Sequence, residues 1–303
     1  MTAQPVFAHT SVLAAEVVRL LAGCRRVVDG TAGAGGHARL LADGGAEVLA
    51  FDQDPAAVVA AGAALDGKGR VRLGEFSAAA RDPEVATFRP DGVLLDLGVS
   101  SPQFDDAGRG FTFRPGAPLD MRMSGEGPTA ADWLNDEADA GLARAFADFG
   151  DEPRARALAR AVVRRRASRP FATSDDLVNA VREVLGARSG PPDFARLFQA
   201  VRIAVNDELA RLAAALEGFR DVLEPGGVLA VISYHSGEDR TVKHTFREWA
   251  LSCVCPPEQP VCTCRGRPLG ALLTRRPVTA GDEEVAANPR ARSARLRAFR
   301  TAP

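Results

Sequence analysis

Short apolar runs alternate with amphipathic stretches over the first hundred residues. Three of these runs are each followed by an aspartate: they span 27–28, 48–51 and 93–95 and lead into Asp29, Asp52 and Asp96. Continuous apolar strands separated by helices indicate a parallel sheet that is covered on both faces. Because such sheets bind ligands beyond the carboxyl ends of their strands, the pattern places all three aspartates at a candidate site.

The pattern changes after about residue 105 and returns near residue 228. Residues 129–186 have helical periodicity, and Thr173–Asp176 resembles a capping box with aspartate in place of glutamate. One further helix is predicted over about 194–223. The sequence therefore predicts an α/β protein whose sheet domain is interrupted by a helical domain, with the domain ranges 1–105, 106–206 and 207–303.

The end of the chain carries further strand signals. The apolar run 228–233 predicts a buried strand by its length and β-branched content. Two later strands are predicted within 271–280 and 292–300, joined by the polar loop 281–289. A sheet that ends in such an antiparallel pair is typical of Rossmann-like methyltransferases and less common in dehydrogenases.

Composition narrows the class of protein. The 303 residues are 46% hydrophobic and 25% charged, with a net charge of −1, as in ordinary globular domains. The arginines are nevertheless clustered, with seven and no acidic residue in 153–169 and nine against three acidic residues in 265–300. Such clusters either bind a polyanion or form solvated helix faces.

The lack of targeting signals and the cysteine usage predict a cytoplasmic protein that does not bind membranes. No apolar run approaches the roughly 18–20 residues that span a bilayer, and the first residues lack the basic start and apolar core of a signal peptide. Five cysteines are unlike a secreted disulfide framework. Four of them form two C-x-C pairs, whereas zinc sites usually have two to four residues between the cysteines, so the sequence favours reduced thiols and no bound metal.

A glycine-rich turn follows the first predicted strand. Residues 33–38, GAGGHA, fit the G-x-G-x-x-G/A fingerprint of dinucleotide-binding proteins and also the looser D-x-x-x-G-x-G turn that holds S-adenosylmethionine. Asp29 favours the methyl donor, because a carboxylate there would repel a pyrophosphate but could bind an ammonium group. Asp52 is placed to accept hydrogen bonds from ribose hydroxyls, which both cofactors have.

Three residues after later strands are candidates for binding or catalysis. Phe76 could stack on an adenine ring or belong to the core. Asp96 and the polar loop after it could hold an exocyclic amine in line with a methyl group. His235, at the end of the fifth strand, could take part in proton removal or be structural.

Longer motifs are more specific than the glycine turn. In chain order they are HTSVL (9–13), DGTAGAGGH (29–37), FDQDP (51–55), LLDLGVSSPQFDDAGRGFTFR (94–114), FQAVRIAVNDEL (198–209), YHSGEDRTVK (234–243) and NPRARSARLR (288–297). Together they closely resemble the MraW/RsmH family of bacterial ribosomal RNA small-subunit methyltransferases, from about residue 9 to the end of the chain.

The resemblance implies a Rossmann-like, S-adenosylmethionine-dependent methyltransferase that acts on N4 of a cytidine in the decoding centre of 16S rRNA, within the small ribosomal subunit. It implies that the cofactor is contacted by Gly35, Gly36, His37, Asp52, Phe76, Asp96 and Gln103. The catalytic candidates are Asp96 and His235. The helical domain would then recognise RNA through phosphate contacts from its arginines. The sequence does not determine the oligomeric state and is compatible with a homodimer.

Two other functions stay open on the sequence alone. A nicotinamide-dependent oxidoreductase would use the same turn, although Asp29 and the two-strand ending weigh against it. A non-catalytic RNA-binding or assembly factor would keep the arginine clusters without turning over the cofactor.

Overall fold

The chain folds into two units. A computed structural model describes residues 11–98, 106–256, 258–259 and 261–303. The first unit comprises the residues up to Gly98 together with Ala210–Pro303, and the second is Val99–Leu209. The domain boundaries expected from the sequence, 105/106 and 206/207, lie near these division points. No helix in the described part is long and apolar enough to cross a membrane.

Seven strands of the described residues form one sheet in the first unit. They are β1 Arg26–Asp29, β2 Glu47–Asp52, β3 Gly69–Leu73, β4 Gly92–Asp96, β5 Val228–Ser233, β6 Gly270–Leu272 and β7 Arg295–Thr301. Their order is β3-β2-β1-β4-β5-β7-β6. The strands β1 to β5 are parallel, and β7 is antiparallel to both β5 and β6. The predicted Rossmann-like α/β fold, with its antiparallel pair at the end, is confirmed.

The two faces of the sheet pack into separate hydrophobic cores. Val27 and Val48 belong to one core, and their neighbours Val28 and Leu49 belong to the other, because successive strand residues point to opposite faces. The strand β5 is buried at every position, as expected where helices cover both faces. The first helices of this unit are α1 Ala14–Leu20, α2 Gly36–Asp43, α3 Pro55–Leu65, α4 Phe76–Ala79 and α5 Pro83–Phe88.

The second unit is helical and has its own hydrophobic core, which includes Phe146 and Leu197. Its helices are α6 Ala130–Asp136, α7 Asp139–Asp148, α8 Ala155–Ser168, α9 Ser174–Leu185 and α10 Pro191–Asn206. The predicted capping box is present at the start of α9, where the Asp176 carboxylate accepts from the Thr173 backbone N–H at 2.9 Å. This bond satisfies a donor near the helix start that has no intrahelical partner.

The structure corrects the sequence prediction at two places. The single helix expected over about 194–223 is two helices, α10 and α11 Glu208–Val222, because Asp207 between them has a left-handed backbone with φ of 51°. The segment 281–289, expected as a loop, contains the helix α13 Asp282–Ala287, which follows α12 Ser236–Trp249. Three acidic residues in its first turn favour that helix, since they interact well with the helix dipole.

Gly35 allows α2 to pack closely against α3. It has φ of 82°, and a Cβ at this position would lie 2.8 Å from Ala61 Cα and 2.9 Å from Ala64 Cβ. Gly45, which follows α2, has φ of 95° and no atom within 4 Å of a Cβ. Glycine therefore suits the backbone conformation at both positions, but packing requires it only at Gly35.

The variants Gly35→Ala and Gly45→Ala should separate the cost of backbone strain at positive φ from the cost of steric overlap with α3. We expect Gly45→Ala to lower the free energy of unfolding by about 1 kcal/mol, because alanine is strained at positive φ. Gly35→Ala should lose a further ~1–3 kcal/mol, since its methyl group overlaps α3. Urea unfolding followed by circular dichroism measures both values. Equal losses would show that α2 and α3 move apart without cost.

Candidate active site at the ends of the parallel strands

The turn between β1 and α2 is held by a carboxylate of the neighbouring strand. Gly33 has φ of 52°, and its N–H donates to Asp52 Oδ2 at 2.8 Å, while Asp52 Oδ1 accepts from the Asp54 N–H at 2.9 Å. Burial raises the pKa of Asp52, although these N–H donors oppose the shift. A Cβ on Gly33 would meet no atom nearer than Thr31 O, at 4.0 Å, so the turn leaves open space there.

Asp29, at the end of β1, is a buried carboxyl next to this turn. It is 1% exposed, and its Oδ1 accepts from the Thr31 N–H at 3.1 Å. Burial raises the pKa of Asp29 to about 6. His37 and the Thr31 N–H oppose this shift, and the negative charges of Asp96 and Asp52 add to it. The carboxyl therefore changes its charge not far below neutral pH.

Asp96, at the end of β4, is held in place by several groups of the first unit. Its N–H donates to Thr31 Oγ1 at 2.6 Å, and its Oδ1 accepts from the Tyr234 hydroxyl at 2.8 Å. Its Oδ2 lies 3.5 Å from His37 Nε2. The side chain is nevertheless 24% exposed. The carboxylate is thus oriented by the protein and still accessible to a ligand.

Asp96 also influences the titration of its two neighbours. Burial, followed by the negative charge of Asp96, raises the pKa of Tyr234, so the phenol stays a hydrogen-bond donor. Burial lowers the pKa of His37, but Asp96 and Asp29 outweigh burial and raise this pKa overall. Neither ring nitrogen of His37 makes a hydrogen bond of normal geometry within the described residues. The buried imidazole is thus positioned beside the Asp96 carboxylate, which favours its charged form.

His235 precedes the first turn of α12 and is enclosed by protein. Its side chain is 7% exposed, its Nδ1 accepts from the Glu238 N–H at 3.4 Å, and its Nε2 lies 3.2 Å from Glu238 Oε1. Glu238 Oε2 accepts from the Tyr234 N–H at 2.8 Å. His235 thus caps a helix beside the residue that contacts Asp96. A part for His235 in proton removal stays a prediction.

Comparison with known proteins assigns the chain to a family. The model of the MraW methylase family matches residues 6–302. The chain belongs to this family. A relative from Gemmatimonas aurantiaca, named ribosomal RNA small subunit methyltransferase H, is 57% identical over 97% of this chain and 95% of its own. A relative of the same name from Heliobacterium modesticaldum is 45% identical over 97% of this chain and 98% of its own.

This MraW-family methylase uses S-adenosylmethionine. The alternative of a nicotinamide-dependent enzyme is therefore wrong. The residues present fit that methyl donor. The space at Gly33 allows a ligand to approach the backbone. Contacts of Asp29 and Asp52 with the ammonium and hydroxyl groups of the donor stay predictions. Phe76 begins α4 half-buried and packs partly against a hydrophobic core, so its stacking on an adenine stays a prediction.

The structure gathers most of the predicted cofactor contacts at one edge of the sheet. Those that follow the ends of β1 to β4 in the described residues are Gly35, Gly36, His37, Asp52, Phe76 and Asp96. Gln103 lies outside the described residues. Sequence reasoning placed Tyr234 on the active-site side without giving it a role and did not single out Thr31, yet both bond to Asp96. Tyr234 is the only tyrosine of the chain and follows β5 directly, which is a signal that could have identified it.

Asp29→Asn should stabilise the protein at alkaline pH and have little effect in acid. The folded state raises the pKa of Asp29 from 3.8 to about 6 and so binds the proton more tightly than the unfolded state. The stability that comes from binding this proton is present below the pKa of the unfolded state. It is lost as pH rises through the pKa of the folded state. Asparagine can still accept from the Thr31 N–H without a charge, so the variant should gain up to ~3 kcal/mol at high pH.

Urea unfolding of wild type and Asp29→Asn near pH 4 and near pH 8 checks this expectation, with roughly equal stabilities at the lower pH as the internal control. A stability difference that does not change with pH would show that Asp29 titrates normally in the folded protein.

Proposed function

We propose that this methylase transfers the methyl group of S-adenosylmethionine to the exocyclic N4 amine of a cytidine in the decoding centre of 16S rRNA, within the small ribosomal subunit in the cytoplasm. The names of its relatives support small-subunit ribosomal RNA as the substrate class. The observation that carries the choice of an amine is the Asp96 carboxylate, which Tyr234 orients and which is 24% exposed.

An exocyclic amine needs a hydrogen-bond acceptor to react at nitrogen. Its lone pair is delocalised into the base, so the amine has to be held with the nitrogen directed at the methyl carbon. Asp96 accepts a hydrogen bond from one of the two N–H groups of the amine. The Tyr234 hydroxyl donates to the same carboxylate and keeps it from rotating. When bound, the sulfonium of the donor supplies an already reactive methyl group. The protein therefore has to orient the base, exclude water and accept a proton.

In this proposal Asp96 accepts the proton that the methylated nitrogen loses, because the carboxylate is already hydrogen-bonded to the amine. His37, whose Nε2 lies 3.5 Å from Asp96 Oδ2 and whose pKa is raised, stabilises the negative carboxylate before that transfer. His235 is the second catalytic candidate. The cofactor contacts are those that the family resemblance implies, Gln103 included.

Asp96→Asn and Tyr234→Phe test this arrangement. We expect Asp96→Asn to lose most methyl transfer while the protein stays folded, because the amide is a weaker acceptor of hydrogen bonds and of the proton. Tyr234→Phe should lower kcat by about 10- to 100-fold, since a hydrogen bond to a charged group is worth ~1.5–3 kcal/mol. Asp221→Asn, which changes an exposed aspartate of α11, is the matched control and should leave kcat unchanged. Near wild-type turnover by Asp96→Asn would contradict the assignment.

The substrate is tested with RNA that lacks the modification. Small subunits, free 16S rRNA and assembly intermediates from a strain without the enzyme are incubated with protein and labelled methyl donor, and the digested nucleosides are analysed by mass spectrometry. We expect N4-methylcytidine at one position of the decoding centre. Methylation of another atom or base would overturn the N4 assignment. Binding to subunits without turnover would instead identify a non-catalytic assembly factor.

The second unit carries an arginine-lined groove that suits RNA phosphates. The groove lies between α7 and α8 and has a volume of about 850 Å³. Its exposed arginines are Arg144, Arg154, Arg156 and Arg160. Among the residues that the structure describes, Arg156 and Arg160 form no ion pair, whereas Arg164 and Arg165 of the same helix both bond to Glu183, at 2.8 and 2.7 Å. We therefore propose residues 106–206 as the RNA-recognition domain.

Two double variants of α8 test the groove. Arg156→Gln with Arg160→Gln should weaken binding to 16S rRNA and reduce the slope of log Kd against log salt by about 2, one unit for each lost phosphate contact. Arg164→Gln with Arg165→Gln removes the same charge but should have a smaller effect, because Glu183 already offsets part of it. Fluorescence anisotropy over a salt series measures both. Equal effects would mean that net charge, and not the groove, governs binding.

A further inference from the structure

Four cysteines meet in the segment that joins α12 to β6. The Sγ atoms of Cys253, Cys255, Cys262 and Cys264 all lie within 4.8 Å of one another. Cys262 Sγ is 3.7 Å from that of Cys253, 3.9 Å from that of Cys255 and 3.5 Å from that of Cys264. The Sγ atoms of Cys253 and Cys264 are 3.8 Å apart. The two C-x-C pairs thus form one compact cluster of sulfur atoms.

These sulfur distances match a tetrahedron around a single metal ion. With metal–sulfur bonds of about 2.3 Å, the edges of a tetrahedron of thiolates are about 3.8 Å long. A disulfide would bring one pair of sulfur atoms to about 2.05 Å. The cysteines are free, four of the six sulfur–sulfur distances lie near the tetrahedral value, and the other two are within 4.8 Å. The geometry therefore favours a shared ion over a pair of disulfides.

The described residues of this segment form no hydrophobic core of their own. Within 251–270, no described residue is buried, and Val254 and Val261 are 39% and 69% exposed. Small units that cannot bury enough apolar surface are usually stabilised by disulfides or by a metal. Because the thiols here form no disulfide, the metal is the stabilising element that their geometry supports.

Backbone N–H groups support the sulfur cluster from outside. Cys264 Sγ accepts from the Val254 N–H at 3.4 Å and also from the N–H of Gly266, which has φ of 65°. The Gln259 side chain donates to the Val261 carbonyl at 3.0 Å and so shapes the loop between the two pairs. Hydrogen bonds to sulfur stabilise the thiolate, which is the form that binds metal ions, and they orient the ligand.

We propose that Cys253, Cys255, Cys262 and Cys264 bind one structural zinc ion. Zn²⁺ prefers tetrahedral sites of four thiolates, and a site closed by four protein ligands leaves no position for a catalytic water. The expectation of no metal rested on the C-x-C spacing, but the folded loop brings the pairs together despite that spacing. The ion stabilises the segment in the way that a hydrophobic core would. The two ends of the segment are connected by a hydrogen bond from the Leu269 N–H to Trp249 O at 2.8 Å.

The metal content of the untagged full-length protein tests the site. We expect about one zinc ion per chain by mass spectrometry of the elements. Replacement by Co²⁺ should produce the visible absorption bands of a tetrahedral thiolate complex. Protein that purifies without stoichiometric zinc, or with iron in its place, would overturn the proposal.

Cys264→Ser and Cys24→Ser form a matched pair of variants. Cys264→Ser should lower the affinity for zinc by at least about 10-fold, since even groups outside the coordination sphere change affinity by that much. Hydrogen exchange should then accelerate in 250–269 while exchange in β5 stays unchanged. Cys24→Ser, which alters a thiol that donates to Asp91 O at 3.3 Å, should keep the zinc.

Removal of zinc from the wild-type protein with a chelator gives the same readout without a substitution, should Cys264→Ser fail to fold. Exchange in 250–269 is expected to rise after chelation and to return when zinc is added. Unchanged zinc content in Cys264→Ser, or exchange in this segment that does not respond to chelation, would contradict the site.

Discussion

Three carboxylates at the ends of neighbouring parallel strands have to be stabilised before any ligand binds. The register of the sheet brings Asp29, Asp52 and Asp96 to one edge on β1, β2 and β4. Burial raises the pKa of the first two, and the negative charges of Asp96 and Asp52 add to the shift of Asp29. Backbone N–H groups, the Tyr234 hydroxyl and His37 offset this cost. Because the same donors also orient the carboxylates, the geometry of the site follows from the need to stabilise its charge.

The buried charged groups of the site lower the stability of the folded protein. A carboxylate buried at the end of β1 is unfavourable at neutral pH, and burial also opposes the charged form of His37, which Asp96 and Asp29 stabilise. The two hydrophobic cores on the faces of the sheet supply the stability that tolerates these groups. Next to the turn, Gly35 allows α2 to pack closely against α3.

Elsewhere the chain is held together in two different ways. The helical unit buries its own apolar residues, so its arginines are left on the surface, where some are paired and others line an open groove. The segment between α12 and β6 buries none of its described residues and instead gathers four thiols. Neither arrangement includes the residues of the candidate active site.

The sequence by itself determined the strands, the aspartates that end them and the capping box of Thr173 and Asp176, because short apolar runs and helix caps are local properties. The family motifs added the cofactor. Only the tertiary structure decided that Tyr234 contacts Asp96 across 138 positions of sequence, and that two C-x-C pairs form one cluster. It also decided the helix break at Asp207, through which the apolar pattern continues. These features depend on sheet order and on single left-handed residues, neither of which hydrophobic periodicity encodes.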